Sequence, residues 1–351
     1  MRTLVVEKDG NLSIREVPKP KYNENQALVK MISCGICNGT DGKLIHGTFK
    51  GVEAEEYPLM LGHEGVGEVV EIGKNVKGYK VGDRVLLPFV DADPEIYGEL
   101  GSAWGAYSEY AVVHDKEAYE GDAPECAYAQ TIVPEDIDPV DAAMIITLRE
   151  VLSAIKRFGI KENNSVAVFG CGPVGLTFVR FLKLLGVSPV IAFDRHEEKV
   201  QDALKKGADY AFHIQKCDPK EEIRKICPDG VEFVLDAVGN SDIINQAMEL
   251  ICDQGKICCY GISANCNMQL DWSKAPYNWQ LLFQQFPSKI EEGEVNEQVL
   301  SWIRTGVIDL EDYISDYFEF NHILEAFEKL EERKIAKKAI IVYGESHGTA
   351  G

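Results

Sequence analysis

The chain has 351 residues and a formal charge of -21, with 45% hydrophobic and 26% charged residues. That balance suits a folded globular protein long enough for two domains, and the acidic surplus argues against a nucleic-acid partner or an anionic membrane surface, which would repel it. No run is long and apolar enough to span a bilayer, Met1 to Lys8 reads as a strand rather than a signal peptide, and ten scattered cysteines point to a reduced, cytoplasmic setting rather than a disulfide framework.

Residues 1 to about 33 alternate apolar and polar positions around turns, as in Leu12 to Pro18 and Ala27 to Ile32, and predict a mostly antiparallel unit. Cys37 follows in Gly35-Ile36-Cys37-Asn38-Gly39-Thr40-Asp41. After a polar loop comes Gly62-His63-Glu64-Gly65-Val66-Gly67-Glu68-Val69, rich in glycine and β-branched residues, and then Val81-Gly82-Asp83-Arg84-Val85. The pattern suits a small barrel. Between Phe89 and Glu120 the chain is acidic and carries no cysteine.

Ala142 to Ile155 predicts an amphipathic helix. Val166 to Phe169 is a short apolar strand of the kind buried in a parallel sheet, followed at once by Gly170-Cys171-Gly172-Pro173-Val174-Gly175 and a helix ending near Gly186. Val190 to Asp194 is a second strand closed by an acid. In such a unit Gly170 permits the tight turn, Gly172 lets a pyrophosphate approach the backbone, and Gly175 lets the helix pack against the strand. Asp194 is placed to accept the ribose hydroxyls of an adenosine and to repel a 2′-phosphate, which favours NAD over NADP; Arg195 beside it is the residue that would pair with such a phosphate. Alternation continues with strands at Tyr210 to Phe212, Glu232 to Asp236 and Gly255 to Gly261, each preceded by helical stretches. This predicts a doubly wound parallel sheet.

A cysteine, a histidine and a glutamate in a glycine-rich domain beside a nucleotide fold make a plausible catalytic zinc set with one open position. Taken together, these motifs and their order resemble the zinc-dependent medium-chain dehydrogenase/reductase family, the alcohol, sorbitol and threonine dehydrogenases, over nearly the whole chain. The resemblance implies a GroES-like, mostly β catalytic domain over 1–145, a Rossmann domain over 146–285 and a return to the catalytic domain over 286–351. It implies one catalytic zinc on Cys37, His63 and Glu64, with Glu64 either a direct ligand or a carboxylate standing behind the ligands. It further implies an NAD site at Gly170, Gly172, Pro173, Val174, Gly175, Asp194, Arg195, Val238 and Gly261, and a homodimer or homotetramer. The substrate would be a secondary alcohol, a polyol, sugar alcohol or cyclitol oxidised to a ketone.

Three departures bear on this. Four closely spaced cysteines for a structural zinc are missing, so no second zinc is expected. Three residues rather than two separate Cys37 from Asp41, which puts the proton-relay role of Thr40 in question, and Lys43 or His46 stands where relatives often place a histidine. Ile146 occupies the slot of a further metal ligand, with Glu150 one helical turn on as the acid that would replace it directly or through water. Two alternatives remain open: a zinc-free reductase of the quinone-oxidoreductase type, and a non-catalytic NAD-binding sensor that retains the fold.

Overall fold

The computed structural model describes residues 1–263 and 267–344. The expected tail from Gly344 to Gly351 lies, beyond Gly344, outside the described residues. The chain divides into two compact units: Met1–Arg149 with Ser288–Gly351, and Glu150–Pro287.

In the first unit, the strand Gln26–Gly35 is the central element of a six-stranded sheet, which runs in the order Ile314–Glu319, Lys338–Val342, Gln26–Gly35, Glu64–Ile72, Arg84–Leu86, with Tyr110–His114 also paired to Gln26–Gly35. A four-stranded sheet contains Leu12–Glu16, Arg2–Val6, Leu59–Met60 and Gly101–Ser102. Side chains of both sheets, including Leu4, Val29, Met31, Val69 and Ile341, share one core with Phe327 of the C-terminal helix. Two strands approach from the far end of the chain, which is why the unit cannot close without residues beyond Ser288.

Strand register sets the position of Cys37. Gly35 stands opposite Glu64 on one side and opposite Ile340 on the other. Gln26–Gly35 therefore delivers Cys37, two residues past its end, next to Glu64 and to the start of Lys338–Val342. A helix, Asn38–Ile45, begins directly after Cys37, which is its N-cap.

The second unit is a six-stranded parallel sheet in the order Tyr210–His213, Val190–Asp194, Val166–Phe169, Val231–Asp236, Ile251–Cys259, Trp279–Phe283. All four residues of Val166–Phe169 are buried, as a strand covered on both faces requires. Phe169, Phe193 and Phe212 stack across three neighbouring strands at 4.9 and 5.6 Å between centroids, each pair worth about 0.5–1.5 kcal/mol beyond its burial. The doubly wound sheet is as the alternation predicts. The strand expected at Gly255 to Gly261 begins earlier, at Ile251, because Gln254 at φ 64 absorbs a register shift and lets the ladder extend backwards. The helix expected from Ala142 opens as a 3₁₀ turn, Asp141–Ala143, and runs on as Met144–Phe158 to a stop at Gly159, φ 76.

Candidate metal centre and dinucleotide site

Ligand atoms of Cys37, His63 and Glu64 lie within 4.8 Å of one another in the first unit. Cys37 is half-buried, whereas His63 and Glu64 are buried. The His63 ring is poised between two acids, with Nδ1 3.6 Å from Asp41 Oδ1 and Nε2 3.9 Å from Glu64 Oε1. Both gaps exceed a hydrogen bond. Burial pushes the His63 pKa down, but Asp41 and Cys37 outweigh it and hold the imidazole well above its ordinary value.

Asp41 is fully buried and acts as the organiser of this corner. Its Oδ2 accepts the backbone N–H of Cys37 at 3.0 Å and the Tyr107 hydroxyl at 2.7 Å, while its other oxygen faces His63. Burial, with Asp41 beside it, keeps the Tyr107 phenol protonated as the donor. A carboxylate behind a ligand histidine fixes ring orientation and raises its basicity.

Glu64 is held from behind. The Lys338 ammonium pairs with Glu64 Oε2, Thr147 donates its hydroxyl to Glu64 Oε1 at 3.2 Å, and Lys338 Nζ donates to Thr147 Oγ1 at 3.1 Å. All three residues are buried. A side chain at Gly35 would run into Glu64 Oε2 and lie 3.1 Å from Lys338 Cε, so this glycine, two residues before Cys37, leaves the space the pair occupies. Ile146 is buried and carries no donor, and its neighbour Thr147 supplies the polar contact instead. Thiolate, imidazole and carboxylate at this separation fit a zinc ion with an open position.

Thr40 is buried on the first turn of Asn38–Ile45, and Lys43 lies one turn on, donating to the Gly39 carbonyl at 3.3 Å. Burial lowers the Lys43 pKa, opposed by Cys37. His46 caps the helix end and its Nδ1 meets the Gly42 carbonyl at 2.5 Å. Glu150 opens the second unit and lies outside the three-residue donor set.

In the second unit Gly170 (φ 92) turns the chain from Val166–Phe169 into the helix Pro173–Leu184, with Gly172 as its N-cap. A Cβ on Gly175 would overlap the carbonyl oxygen of Gly170, whereas one on Gly172 would meet nothing within 4 Å. The first closes the helix onto the strand, and the second leaves the N-terminal amides open to an anion. Asp194 Oδ2 accepts the Cys171 N–H at 2.7 Å and Oδ1 that of His196 at 2.8 Å, so the acid already ties the glycine turn to the neighbouring strand end. Arg195 donates to His196 Nε2 at 3.1 Å. Val238 is exposed beside Gly170, and the backbone of Val238 and Gly239 abuts Gly261. Buried Asp236 shapes that loop, accepting the N–H groups of Val238, Gly239 and Asn240 at 2.8, 3.0 and 3.2 Å. An open glycine cradle, a helix N-terminus and an acid at the next strand end fit the adenosine diphosphate half of a dinucleotide.

Sequence reasoning brought together Cys37, His63 and Glu64 and missed the roles of Asp41, Tyr107, Thr147, Lys338 and Asp236. Lys338 gave no distinct signal, because Lys337 precedes it and the pair reads as an ordinary charged approach to the apolar run Ala339-Ile340-Ile341-Val342.

Residues 23–123 match the alcohol dehydrogenase GroES-like domain family and residues 173–284 the zinc-binding dehydrogenase family. The chain is 31% identical to an alcohol dehydrogenase of Geobacillus stearothermophilus over 72% of this chain and 74% of that one. It is 28% identical to the starvation-sensing protein RspB of Escherichia coli K12, covering 98% and 100% of the two chains, and 24% identical to a sorbitol dehydrogenase of Bacillus subtilis, covering 98% and 97%. Among solved structures, the rspB alcohol dehydrogenase of E. coli CFT073 complexed with NADH superimposes with a TM-score of 0.74 at 26% identity, over 97% of this chain and 99% of that one. No described helix is long and apolar enough to cross a membrane.

Proposed function

We propose a specific chemistry for this chain, which belongs to the zinc-type medium-chain alcohol dehydrogenase family in its polyol branch: zinc- and NAD-dependent oxidation of a secondary hydroxyl of a polyol, sugar alcohol or cyclitol to the ketone. The observation that carries it is the Cys37, His63 and Glu64 donor set within 4.8 Å. Cys37, His63 and Glu64 would hold the zinc, which would supply Lewis acidity toward a substrate hydroxyl, and the Gly170 to Gly175 turn would hold NAD, which would supply the hydride acceptor.

The rest falls to the chain's own side chains. Asp41 orients His63 and, through the Cys37 N–H, the thiolate loop. Lys338 and Thr147 hold the Glu64 carboxylate and offset its charge where water is excluded. The Thr40 hydroxyl takes the proton released by the substrate and Lys43, whose pKa burial lowers, passes it outward. In the second unit, the Gly170 to Gly175 turn holds the pyrophosphate and Asp194 the adenosine ribose. One zinc per subunit, without a structural second, and a dimer or tetramer complete the reading.

The test is metal analysis of dialysed protein, paired with NAD reduction over simple alcohols, linear polyols and cyclitols. One zinc and turnover of a polyol support the proposal. Cys37→Ser should lose zinc and turnover while binding NADH within about twofold of wild type; full activity in that variant would sink the zinc mechanism.

A further inference from the structure

Beside the metal centre lies a cavity of about 330 Å³, at the small end of the range of ligand pockets, whose walls include Phe49, Phe89, Ser102 and Trp104, with Glu56 and Asp91 as its charged residues. Resting on the polyol dehydrogenase reading, we propose that it receives the body of the substrate, and that this substrate is an uncharged, unphosphorylated polyol, with its C–H face on Trp104 and one hydroxyl bound by Ser102.

Trp104 joins the cavity to the reaction centre. Its ring stands 5.1 Å from the His63 ring and meets Phe49 edge-on at 6.2 Å, while it also walls the cavity. Its backbone sits at φ 69, a conformation side-chain-bearing residues rarely adopt, followed by Gly105 at φ 75 and fixed by the Val90 N–H to Trp104 carbonyl bond of 2.7 Å. Strain retained at such a place marks a residue whose direction matters. The aromatic walls offer flat apolar surface to the C–H face of a polyol.

Ser102 supplies the second observation. Its Oγ is buried and has no hydrogen-bond partner among the described residues, although buried hydroxyls are almost always satisfied. A ligand hydroxyl is the simplest partner that completes it. The charge of the lining is the third observation: none of the twelve lining residues is lysine, arginine or histidine, and two are carboxylates. A phosphate ester needs cationic donors and would meet repulsion here, whereas neutral hydroxyls donate readily to carboxylates.

The experiment uses the zinc-loaded protein with NAD and compares kcat/KM for myo-inositol and sorbitol with that for their monophosphates and for butan-2-ol. An unphosphorylated polyol should exceed its phosphate at least about tenfold, and Ser102→Ala should lower polyol kcat/KM about three- to tenfold, the loss of one neutral hydrogen bond, with a smaller effect on butan-2-ol. Asp91→Lys should shift the ratio toward the phosphate. Equal or better use of a phosphate ester overturns the proposal, as does an equal loss on both alcohols in Ser102→Ala. Absence of turnover with every alcohol would defeat the underlying reading instead. In that event calorimetric titration of myo-inositol and sorbitol into wild type and Ser102→Ala still decides: binding weakened by the substitution supports the cavity assignment, and binding absent or unchanged overturns it.

Discussion

Two alanine substitutions three residues apart should separate cofactor binding from folding. At Gly172 the backbone lies at φ -67 and ψ -176, open to any residue, and a Cβ there meets nothing within 4 Å. Losing glycine's unfolded-state freedom stabilises by about 0.4–1 kcal/mol, and alanine as an N-cap costs a comparable amount. The two offset, so Gly172→Ala should unfold within about 0.5 kcal/mol of wild type. Its methyl group nevertheless stands where a pyrophosphate would approach, and NADH affinity should fall at least tenfold, about 1.4 kcal/mol. Gly175→Ala is the opposite case. Its Cβ would overlap the Gly170 carbonyl oxygen and lie 2.8 Å from the carbonyl carbon, backbone atoms that cannot swing aside. Moving the helix Pro173–Leu184 off its strand costs about 1–3 kcal/mol or more. Denaturant unfolding and NADH fluorescence titration read the two quantities. If Gly172→Ala binds NADH like wild type, the glycine turn does not hold the cofactor. If Gly175→Ala unfolds like wild type, the packing argument is wrong.

Asp41→Asn keeps the shape but removes the charge behind His63, and zinc affinity measured by chelator competition should fall about 10–100-fold; unchanged affinity would mean His63 is oriented without it. Asp194→Ala should relax NAD preference toward NADP, read as the ratio of kcat/KM values, and a wild type that already prefers NADP would refute the role given to this acid. His114, on a sheet strand, accepts from the Gln26 amide at Nε2 and donates from Nδ1 to the Tyr119 hydroxyl, and burial lowers its pKa below the ordinary 6.5. The unfolded chain therefore binds the proton first, so this site's contribution is complete above pH 6.5 and is lost as pH falls from there through the folded pKa. His114→Gln should flatten the stability profile in that acidic window; an unaltered slope would place the transition elsewhere.

How far the site was legible depends on how local its parts are. Cys37 and the pair His63-Glu64 announce themselves because their glycine neighbours serve local turns and close approaches, and the nucleotide turn is legible for the same reason. Lys338 is not legible as a site residue, because what brings it to Glu64 is register: Gly35 pairs with Glu64 on one side and with Ile340 on the other, a relation between three distant segments. The boundary between units shows the same limit. The first segment of the first unit ends at Arg149, buried inside a helix and bonded to the Ala129 carbonyl and Thr131 hydroxyl, so the break falls within a continuous helical pattern that gives no linker signal.

This register also explains how the chain tolerates Ile146. With no acid in that slot, Glu64 is the carboxylate of the donor set, and a buried carboxylate needs a partner charge or it neutralises itself. Lys338 provides it from the return strand, with Thr147, next to Ile146, bridging the two. Gly35 makes the arrangement sterically possible. The pairing also divides the carboxylate: Oε2 stays with the buried ammonium, while Oε1 faces the His63 ring at 3.9 Å and is the oxygen turned toward the other two donors.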